Sequence, residues 1–192
     1  LAGPSLSVTA LDRSRADLAD PDACAALVAE AEADVVINAA AYTEVDRAEA
    51  EEELATVVNG AAPGAMARAA AARGIPFLHL STDFVFDGRS DTPLAETAPV
   101  SPLSAYGRSK LAGERAVMAA EGQSVIVRTT RVYAAHGKNF VRTMLRAGAA
   151  HPVLRVVNDQ FSGPTSADDL AAALLTIARA FRRGVGAPGL FH

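Results

Sequence analysis

Short apolar segments alternate with amphipathic segments along the chain. The apolar segments are bounded by glycine, proline or aspartate, and they predict buried strands over residues 6–11, 34–41, 77–80, 124–130 and 153–157. Helices are predicted over residues 21–33, 54–73, 104–115, 139–147 and 167–181, with a kink near Pro63 and with Thr165 or Ser166 as the last cap. This alternation predicts an α/β fold with a parallel, doubly wound sheet.

The segment from residue 77 to residue 115 carries the strongest candidate chemistry. Ser81, Thr82 and Asp83 follow a predicted strand, and ligands bind at the carboxyl ends of strands in open α/β sheets. Tyr106 and Lys110 lie four residues apart, on one face of the following helix. A hydroxyl, a phenol and an ammonium group together can polarise and protonate a carbonyl oxygen. We expect the cation of Lys110 to lower the pKa of Tyr106.

Composition limits the classes of protein that need consideration. The 192 residues fit one domain, and half of them are hydrophobic, which is enough for a packed core. A net charge of −4 without a basic block argues against nucleic-acid and membrane partners. The single cysteine, Cys24, rules out an internal disulfide. With no recognisable signal peptide or membrane-spanning run, we expect a cytoplasmic protein.

Several other polar residues have a structural interpretation. The acidic run at residues 49–53 is more typical of a solvated face than of a metal site, and we predict no metal ligands. His79 is predicted to be a structural histidine because no second ligand is spaced to join it. Asn38 and Asn59 could be structural or could order loops of the site. The G-x-G-x-x-G match at residues 184–189 follows a helix and leads into none, so it does not predict a phosphate-binding turn.

Five motifs carry a resemblance to the extended short-chain dehydrogenase/reductases. They are DVVINAAAYTEVDRAE from residue 34, STDFVF from 81, SAYGRSKLAGE from 104, GKNF from 137 and NDQFSGPTS from 158. The resemblance implies that residues 1–192 form a partial NAD(P)-binding, Rossmann-like domain with substrate-contacting segments at 131–165. It further implies that the first βα unit, with its glycines, and a C-terminal substrate-binding portion lie outside this chain.

The resemblance also implies roles for individual residues. Tyr106 would protonate the keto oxygen, Lys110 would hold the nicotinamide ribose, and Thr82 would hydrogen-bond the reacting oxygen, with Ser81 as the neighbouring candidate. The residues implied in cofactor binding are Asp12, Asp17, Leu18, Ala39, Ala40, Ala41, Tyr42, Thr43, Tyr106 and Lys110. Those implied in substrate binding are Thr43, Val45, Thr82, Asp83 and Arg131.

Within that family the chain is similar to the branch that reduces a dTDP-linked 4-keto-6-deoxyhexose in the last step of dTDP-L-rhamnose synthesis. The cofactor implied is NADPH or NADH, with Arg13 able to receive a 2′-phosphate, and a homodimer is expected. Arg131 stands where these reductases often carry tryptophan, which leaves open a reductase or epimerase of another nucleotide-linked deoxysugar. A non-catalytic regulatory subunit with the same fold is the other alternative.

Overall fold

The computed structural model describes residues 6–192 and has the α/β architecture predicted from the sequence. The helices are α1 (Pro21–Glu30), α2 (Val45–Ala48), α3 (Glu52–Thr56), α4 (Ala62–Ala72), α5 (Ala105–Met118), α6 (Phe140–Ala150) and α7 (Ala167–Arg182). The strands are β1 (Val36–Asn38), β2 (Phe77–Thr82), β3 (Ser124–Thr129), β4 (Val132–Tyr133), β5 (Thr165–Ser166) and β6 (Gly189–Phe191). None of these helices is long and apolar enough to cross a bilayer.

The main sheet is parallel, as predicted. Its order is β1-β2-β3-β6, and β4 and β5 form a separate parallel pair. The strands do not end at one level. The last pair between β1 and β2 is Asn38 with His79, whereas β2 continues beside β3 to the pair Thr82 with Thr129. At the carboxyl edge of the sheet, β2 therefore extends three residues beyond the end of β1.

Alternating side chains of the central strands build a core on each face of the sheet. Phe77 and Ile126 point to the face covered by α1, α4 and α5, where they meet Cys24, Val28 and Met66. Because side chains alternate along a strand, Leu78 and Val125 point the other way, toward Leu170 and Leu174 of α7. Helices on both faces complete the doubly wound arrangement.

The predicted helix over residues 54–73 is present as three consecutive segments. A π-helical segment, Val57–Ala61, joins α3 to α4 and ends just before Pro63, the residue at which the kink was predicted. Proline lacks the N–H that a regular turn would use, which makes a widened turn favourable at this place. The wide turn carries Asn59 and Gly60, both buried.

Helix α5 packs on this π-helical segment at backbone contact. A Cβ atom added at Gly113 would lie 2.0 Å from the carbonyl oxygen of Asn59. At Gly64 the same atom would lie 2.7 Å from the Cβ of Ala116. Only residues without side chains allow this approach, and it places α5 directly against the sheet that carries Ser81 and Thr82.

Two predicted strands are wrong. Within the described part of the chain, residues 6–11 show a single bridge at Leu6 and residues 153–157 form no strand. Both segments are largely exposed, with Val153 at 76% and Val157 at 64%. An extended segment becomes a strand only when its backbone pairs with a neighbour over several residues, and neither segment does so. Conversely, β6 was not predicted from the sequence. A strand of three residues after a glycine-rich turn is too short to show a recognisable hydrophobic pattern.

Candidate functional site

The start of α5 lies against the end of β2. Ser104 caps the helix by accepting a hydrogen bond from the backbone N–H of Gly107 at 3.1 Å. Gly107 in turn faces the short 3₁₀ turn Asp83–Val85, since a Cβ atom there would lie 2.3 Å from the carbonyl oxygen of Phe84. The ring of Phe84 packs edge-on against Tyr106 at 5.4 Å between centroids. These contacts bring together the strand end and the helix that the sequence predicted to share a site.

Lys110 is buried, with 2% of its surface exposed. Its ammonium donates a hydrogen bond to the backbone carbonyl oxygen of Leu80 at 2.7 Å. Burial lowers the pKa of Lys110 to about 8, and the charge of Glu114 opposes that shift. The lysine therefore reaches the carboxyl end of β2 as a cation that is close to losing its proton under mildly alkaline conditions.

Tyr106 is half-buried, and its pKa differs from the sequence-based expectation. Burial raises the pKa of the phenol above its ordinary value, the Thr82 side chain acts in the opposite direction as a hydrogen-bond partner, and the charge of Asp83 raises it further. The expectation that Lys110 lowers this pKa is wrong for this structure, because the ammonium is directed to the carbonyl of Leu80. At neutral pH Tyr106 is a protonated phenol able to donate.

The two neighbouring hydroxyls at the end of β2 have different partners. Thr82 donates to the carboxylate of Asp83 at 3.1 Å and accepts from the backbone N–H of Phe84 at 3.2 Å. Ser81 instead donates to the carboxylate of Glu114 at 2.5 Å, inside the protein. Of the two hydroxyls, Ser81 is therefore bound to Glu114, and Thr82 lies at the start of the turn whose Phe84 packs on Tyr106.

A run of three alanines, residues 39–41, follows the end of β1. Ala39 and Ala40 are exposed and Ala41 is half-buried. Asn38, the last residue of β1, holds this turn in place: its amide oxygen accepts from the N–H of Ala40 at 3.1 Å. Its amide nitrogen lies 3.1 Å from Nδ1 of His79. Asn38 thus holds this run of alanines in place. His79 is fully buried, and burial and the charge of Lys110 lower its pKa well below 6.5.

Tyr42 is held by the π-helical segment. The side chain of Asn59 accepts from the backbone N–H of Tyr42 at 2.8 Å and donates to its carbonyl oxygen at 3.0 Å. It also donates to the hydroxyl of Ser109 on α5 at 2.9 Å. Thr43, the next residue, is exposed, and Val45 begins α2 half-buried. Asn59 therefore fixes the loop that carries the predicted residues Tyr42, Thr43 and Val45.

The residues predicted near the adenosine half of a cofactor lie in a turn before α1. Asp12 accepts from both the N–H and the hydroxyl of Ser14, at 3.0 and 2.6 Å, and these hydrogen bonds lower the pKa of its carboxyl group. Asp17 contacts the exposed guanidinium of Arg13 at 3.3 Å. Leu18 is buried in the core beside Cys24, so only its backbone can face a ligand.

Arg131 lies beyond β3 in an exposed loop with a positive φ of 43°. Its guanidinium donates to the side-chain oxygen of Gln160 at 2.7 Å and to the hydroxyl of Ser162 at 2.5 Å. It also lies over the ring of Phe140, 5.7 Å from the centroid. One side chain thus ties together the beginning and the end of segment 131–165, which the sequence predicted to contact a substrate.

The sequence did not predict two carboxylate contacts. Glu49 accepts from the backbone N–H of Ala105 at 2.8 Å, and Glu52 binds the guanidinium of Arg108 at 2.7 and 2.8 Å. The acidic run therefore anchors the start of α5 in addition to facing solvent. Among residues 6–192, no group of three or more His, Cys, Asp or Glu side chains is arranged to hold a metal ion.

The buried pair of Glu114 with Arg128 was also not predicted. An arginine within an apolar strand is a usable sequence signal, because it can be buried there only with a partner. Its partner lies 14 residues away on α5, at 2.6 Å.

A parallel sheet with helices on both faces, and a threonine, a tyrosine and a lysine at its carboxyl edge, define a Rossmann-like protein of the short-chain dehydrogenase/reductase class. The chain belongs to the family described as the RmlD substrate binding domain, whose family model matches residues 1–192.

The names of similar proteins are consistent with membership of this family. The chain is 44% identical over 193 residues to the dTDP-4-dehydrorhamnose reductase of Sinorhizobium fredii, covering 100% of this chain and 65% of that relative. It superposes with a TM-score of 0.91 on the dTDP-4-dehydrorhamnose reductase of Clostridium acetobutylicum, at 38% identity over 99% of this chain and 66% of that one. The Bacillus anthracis enzyme of the same name, solved in complex with NADP, gives 0.88 at 33% identity, covering 95% and 63%.

Proposed function

We propose that the protein containing this chain reduces the C4 keto group of dTDP-4-dehydro-L-rhamnose to give dTDP-L-rhamnose, with NADPH as the reductant. The observation that carries the proposal is the meeting of Thr82, Tyr106 and Lys110 at the carboxyl end of β2. The names of the relatives support the same reaction. The chain spans 65% of the length of the Sinorhizobium relative, so the proposal concerns the longer protein.

In this proposal Tyr106 is the general acid. Its phenol donates a proton to the C4 oxygen as negative charge develops there, and the raised pKa keeps that proton available at neutral pH. Thr82 donates a hydrogen bond to the same oxygen. The ammonium of Lys110 binds ribose hydroxyls of the cofactor, which places the nicotinamide against the substrate.

The residues at the end of β1 fit a nicotinamide cofactor. Ala39, Ala40 and Ala41 present no side chain beyond Cβ, so a flat ring can approach the backbone above β1. Arg13 is 81% exposed near Asp12 and Asp17, where a cation can receive a 2′-phosphate, and this favours NADPH over NADH. When bound, NADPH supplies the hydride that C4 accepts. The residues we assign to cofactor binding are Asp12, Asp17, Leu18, Ala39, Ala40, Ala41, Tyr42, Thr43, Tyr106 and Lys110.

For the sugar we assign Thr43, Val45, Thr82, Asp83 and Arg131. Arg131 is polar and already bound to Gln160, so it offers hydrogen bonds through its remaining N–H groups rather than a flat apolar wall. The identity of the sugar therefore depends on segment 131–165.

The test is reduction of dTDP-4-dehydro-L-rhamnose by the full-length protein, followed by the loss of NADPH absorbance and by NMR of the product. Consumption of NADPH with dTDP-L-rhamnose as product supports the proposal. Binding of NADPH without consumption contradicts it and favours a regulatory subunit. Turnover of a different deoxysugar with no turnover of this one contradicts the substrate and favours a sister reductase.

A homodimer and a cytoplasmic location are further proposals for the full-length protein. Apolar residues of α6 support the first, since Leu145 is 69% exposed and Phe140 is 50% exposed. Sedimentation of the full-length protein at several concentrations measures the oligomeric state, and cell fractionation measures the location. The free thiol of Cys24 is compatible with a reducing compartment.

A further inference from the structure

A buried ion pair lies behind the candidate site. Glu114 is on α5, one turn after Lys110, and its side chain is 3% exposed. Its carboxylate accepts from Arg128 of β3 twice, from Nε at 2.8 Å and from Nη2 at 2.6 Å. A third hydrogen bond comes from the hydroxyl of Ser81 at 2.5 Å. One carboxylate therefore joins α5 to two adjacent strands of the sheet.

The strand residue that this carboxylate holds lies between two residues of the site. Ser81 follows Leu80, whose carbonyl oxygen accepts from the ammonium of Lys110, and precedes Thr82. Adjacent residues of a strand share rigid peptide units, so fixing Ser81 also constrains the carbonyl before it and the backbone that carries Thr82 after it. β2 is paired with β3 up to Thr82, so the carboxyl end of β2 is held in place by its neighbouring strand.

Arg128 is itself fixed by further contacts. Its guanidinium stacks over the ring of Phe86 at 5.0 Å, and it donates to the carbonyl oxygen of Glu96 at 3.4 Å. A bidentate arginine–carboxylate pair whose arginine has these further contacts is confined to a single geometry. Burying two charges is costly for stability even when they are paired, so a role in specifying geometry is a better reason for this pair than stability alone.

We propose that Glu114 is a positioning residue for the reaction proposed above: held by Arg128, its carboxylate fixes, through Ser81, the end of β2 that places the Lys110 ammonium and the Thr82 hydroxyl. The inference rests on the proposed function. Glu114 also acts on Lys110 through its charge, since the carboxylate favours the protonated lysine against burial. Among the described residues, the other titratable groups near this ammonium are His79 on β2 and Tyr106 one turn earlier on α5, and Arg128 on β3 is paired with Glu114.

The test uses full-length protein with ¹³C-labelled lysine. The Lys110 resonance is assigned by its absence in Lys110→Arg, and the exposed Lys138 serves as an internal reference. The variants are Glu114→Gln, the double variant Glu114→Gln with Arg128→Gln, and Ser81→Ala. The double variant avoids leaving a buried arginine unpaired, which could prevent the single variant from folding.

The matched control is Glu52→Gln, which breaks a bidentate pair with Arg108 on the outer side of the same helix.

We expect loss of Glu114 to move the titration midpoint of Lys110 further below about 8. It should lower kcat on the order of tenfold to a hundredfold while the KM for NADPH changes little, because misplaced catalytic groups affect the chemical step. Ser81→Ala should lower kcat and move the Lys110 midpoint less than Glu114→Gln does, whereas Glu52→Gln should leave both quantities close to their wild-type values.

An unchanged Lys110 midpoint in folded Glu114→Gln would overturn the inference, and so would wild-type kcat in the double variant or in Ser81→Ala. A similar loss of kcat in Glu52→Gln would also overturn it, because any weakened contact of α5 would then have the same effect. If wild-type protein fails to reduce the sugar, the proposed function fails, while the Lys110 titration still decides whether Glu114 controls that ammonium.

Discussion

Lys110 of α5 and the backbone carbonyl of Leu80 form a 2.7 Å hydrogen bond across the edge of the sheet. The bond joins the helix that carries the candidate acid to the strand that carries the candidate hydroxyl. It also gives a buried ammonium a polar partner, without which its charge would be more costly to bury. The protonation state of this one group therefore connects the chemistry of the site with the stability of the fold.

Reductase activity should decline as pH rises through about 8. The pKa of Lys110 is lowered to about 8, so above that pH the ammonium becomes a neutral amine and loses the charge-assisted hydrogen bonds that would hold the cofactor ribose. The measurement is kcat/KM from pH 6 to 10. Lys110→Arg keeps its charge over this range and should lack the alkaline decline, although its absolute rate should be lower. An identical decline in both proteins would assign the titration to another group.

Stability should change with pH in the opposite sense. The pKa of Lys110 is about 8 in the folded protein and about 10.4 in an unfolded chain. Below about pH 8 both states are protonated, and between these two values the unfolded state holds more protons, so unfolding becomes harder as pH rises.

The free energy of unfolding should therefore rise by about 2 kcal/mol between pH 7.5 and 9.5, relative to Lys110→Met. Urea unfolding of both proteins at the two pH values measures this difference. Parallel pH dependences for the two proteins would mean that Lys110 has an ordinary pKa.

Tyr106→Phe should remove the proton donor and preserve the fold. The phenylalanine ring keeps the edge-on contact with Phe84, and the hydroxyl is lost. A general acid contributes about 100-fold to 10,000-fold, so kcat should fall by at least about 100-fold. NADPH binding, followed by fluorescence, should stay within a few-fold of wild type. Retention of most of the activity would show that another group supplies the proton.

Gly113→Ala should destabilise the protein, because its Cβ would lie 2.0 Å from the carbonyl oxygen of Asn59 and α5 would have to move. Overpacking of this kind costs about 1–3 kcal/mol. Gly163→Ala is the matched control, since nothing lies within 4 Å of the added atom there, and its effect should stay within about 0.5 kcal/mol. Thermal or urea unfolding compares the two. Equal stabilities would mean that α5 does not pack at backbone contact.

The sequence was sufficient for the elements whose signals are local. The spacing of Tyr106 and Lys110 predicted a shared helix face, and the segment before Ser81 predicted a central strand whose end meets that helix. The cap at Ser166 was one of two predicted candidates, and its hydroxyl accepts from the N–H of Asp169. Such features depend on a few neighbouring residues, and therefore a pattern reports them directly.

Features that depend on distant partners were not predictable in the same way. Residues 153–157 have an apolar pattern like that of β3, but β3 has neighbours on both sides and these residues have none among the described strands. The raised pKa of Tyr106 follows from burial, which spacing does not report. The pairing of Glu114 with Arg128 requires knowledge of which helix lies over which strand.

The register of the sheet has a consequence for the handedness of any reaction at its edge. β1 ends level with His79, and β2 continues for three more residues to Thr82, a rise of about 10 Å at the usual spacing along a strand. A planar ring bound above the end of β1 would be flanked by the last residues of β2 on one side and would be open on the other side. Its two faces are then inequivalent to a second reactant. Stereochemical choice would thus originate in the lengths of two strands, before any side chain contributes.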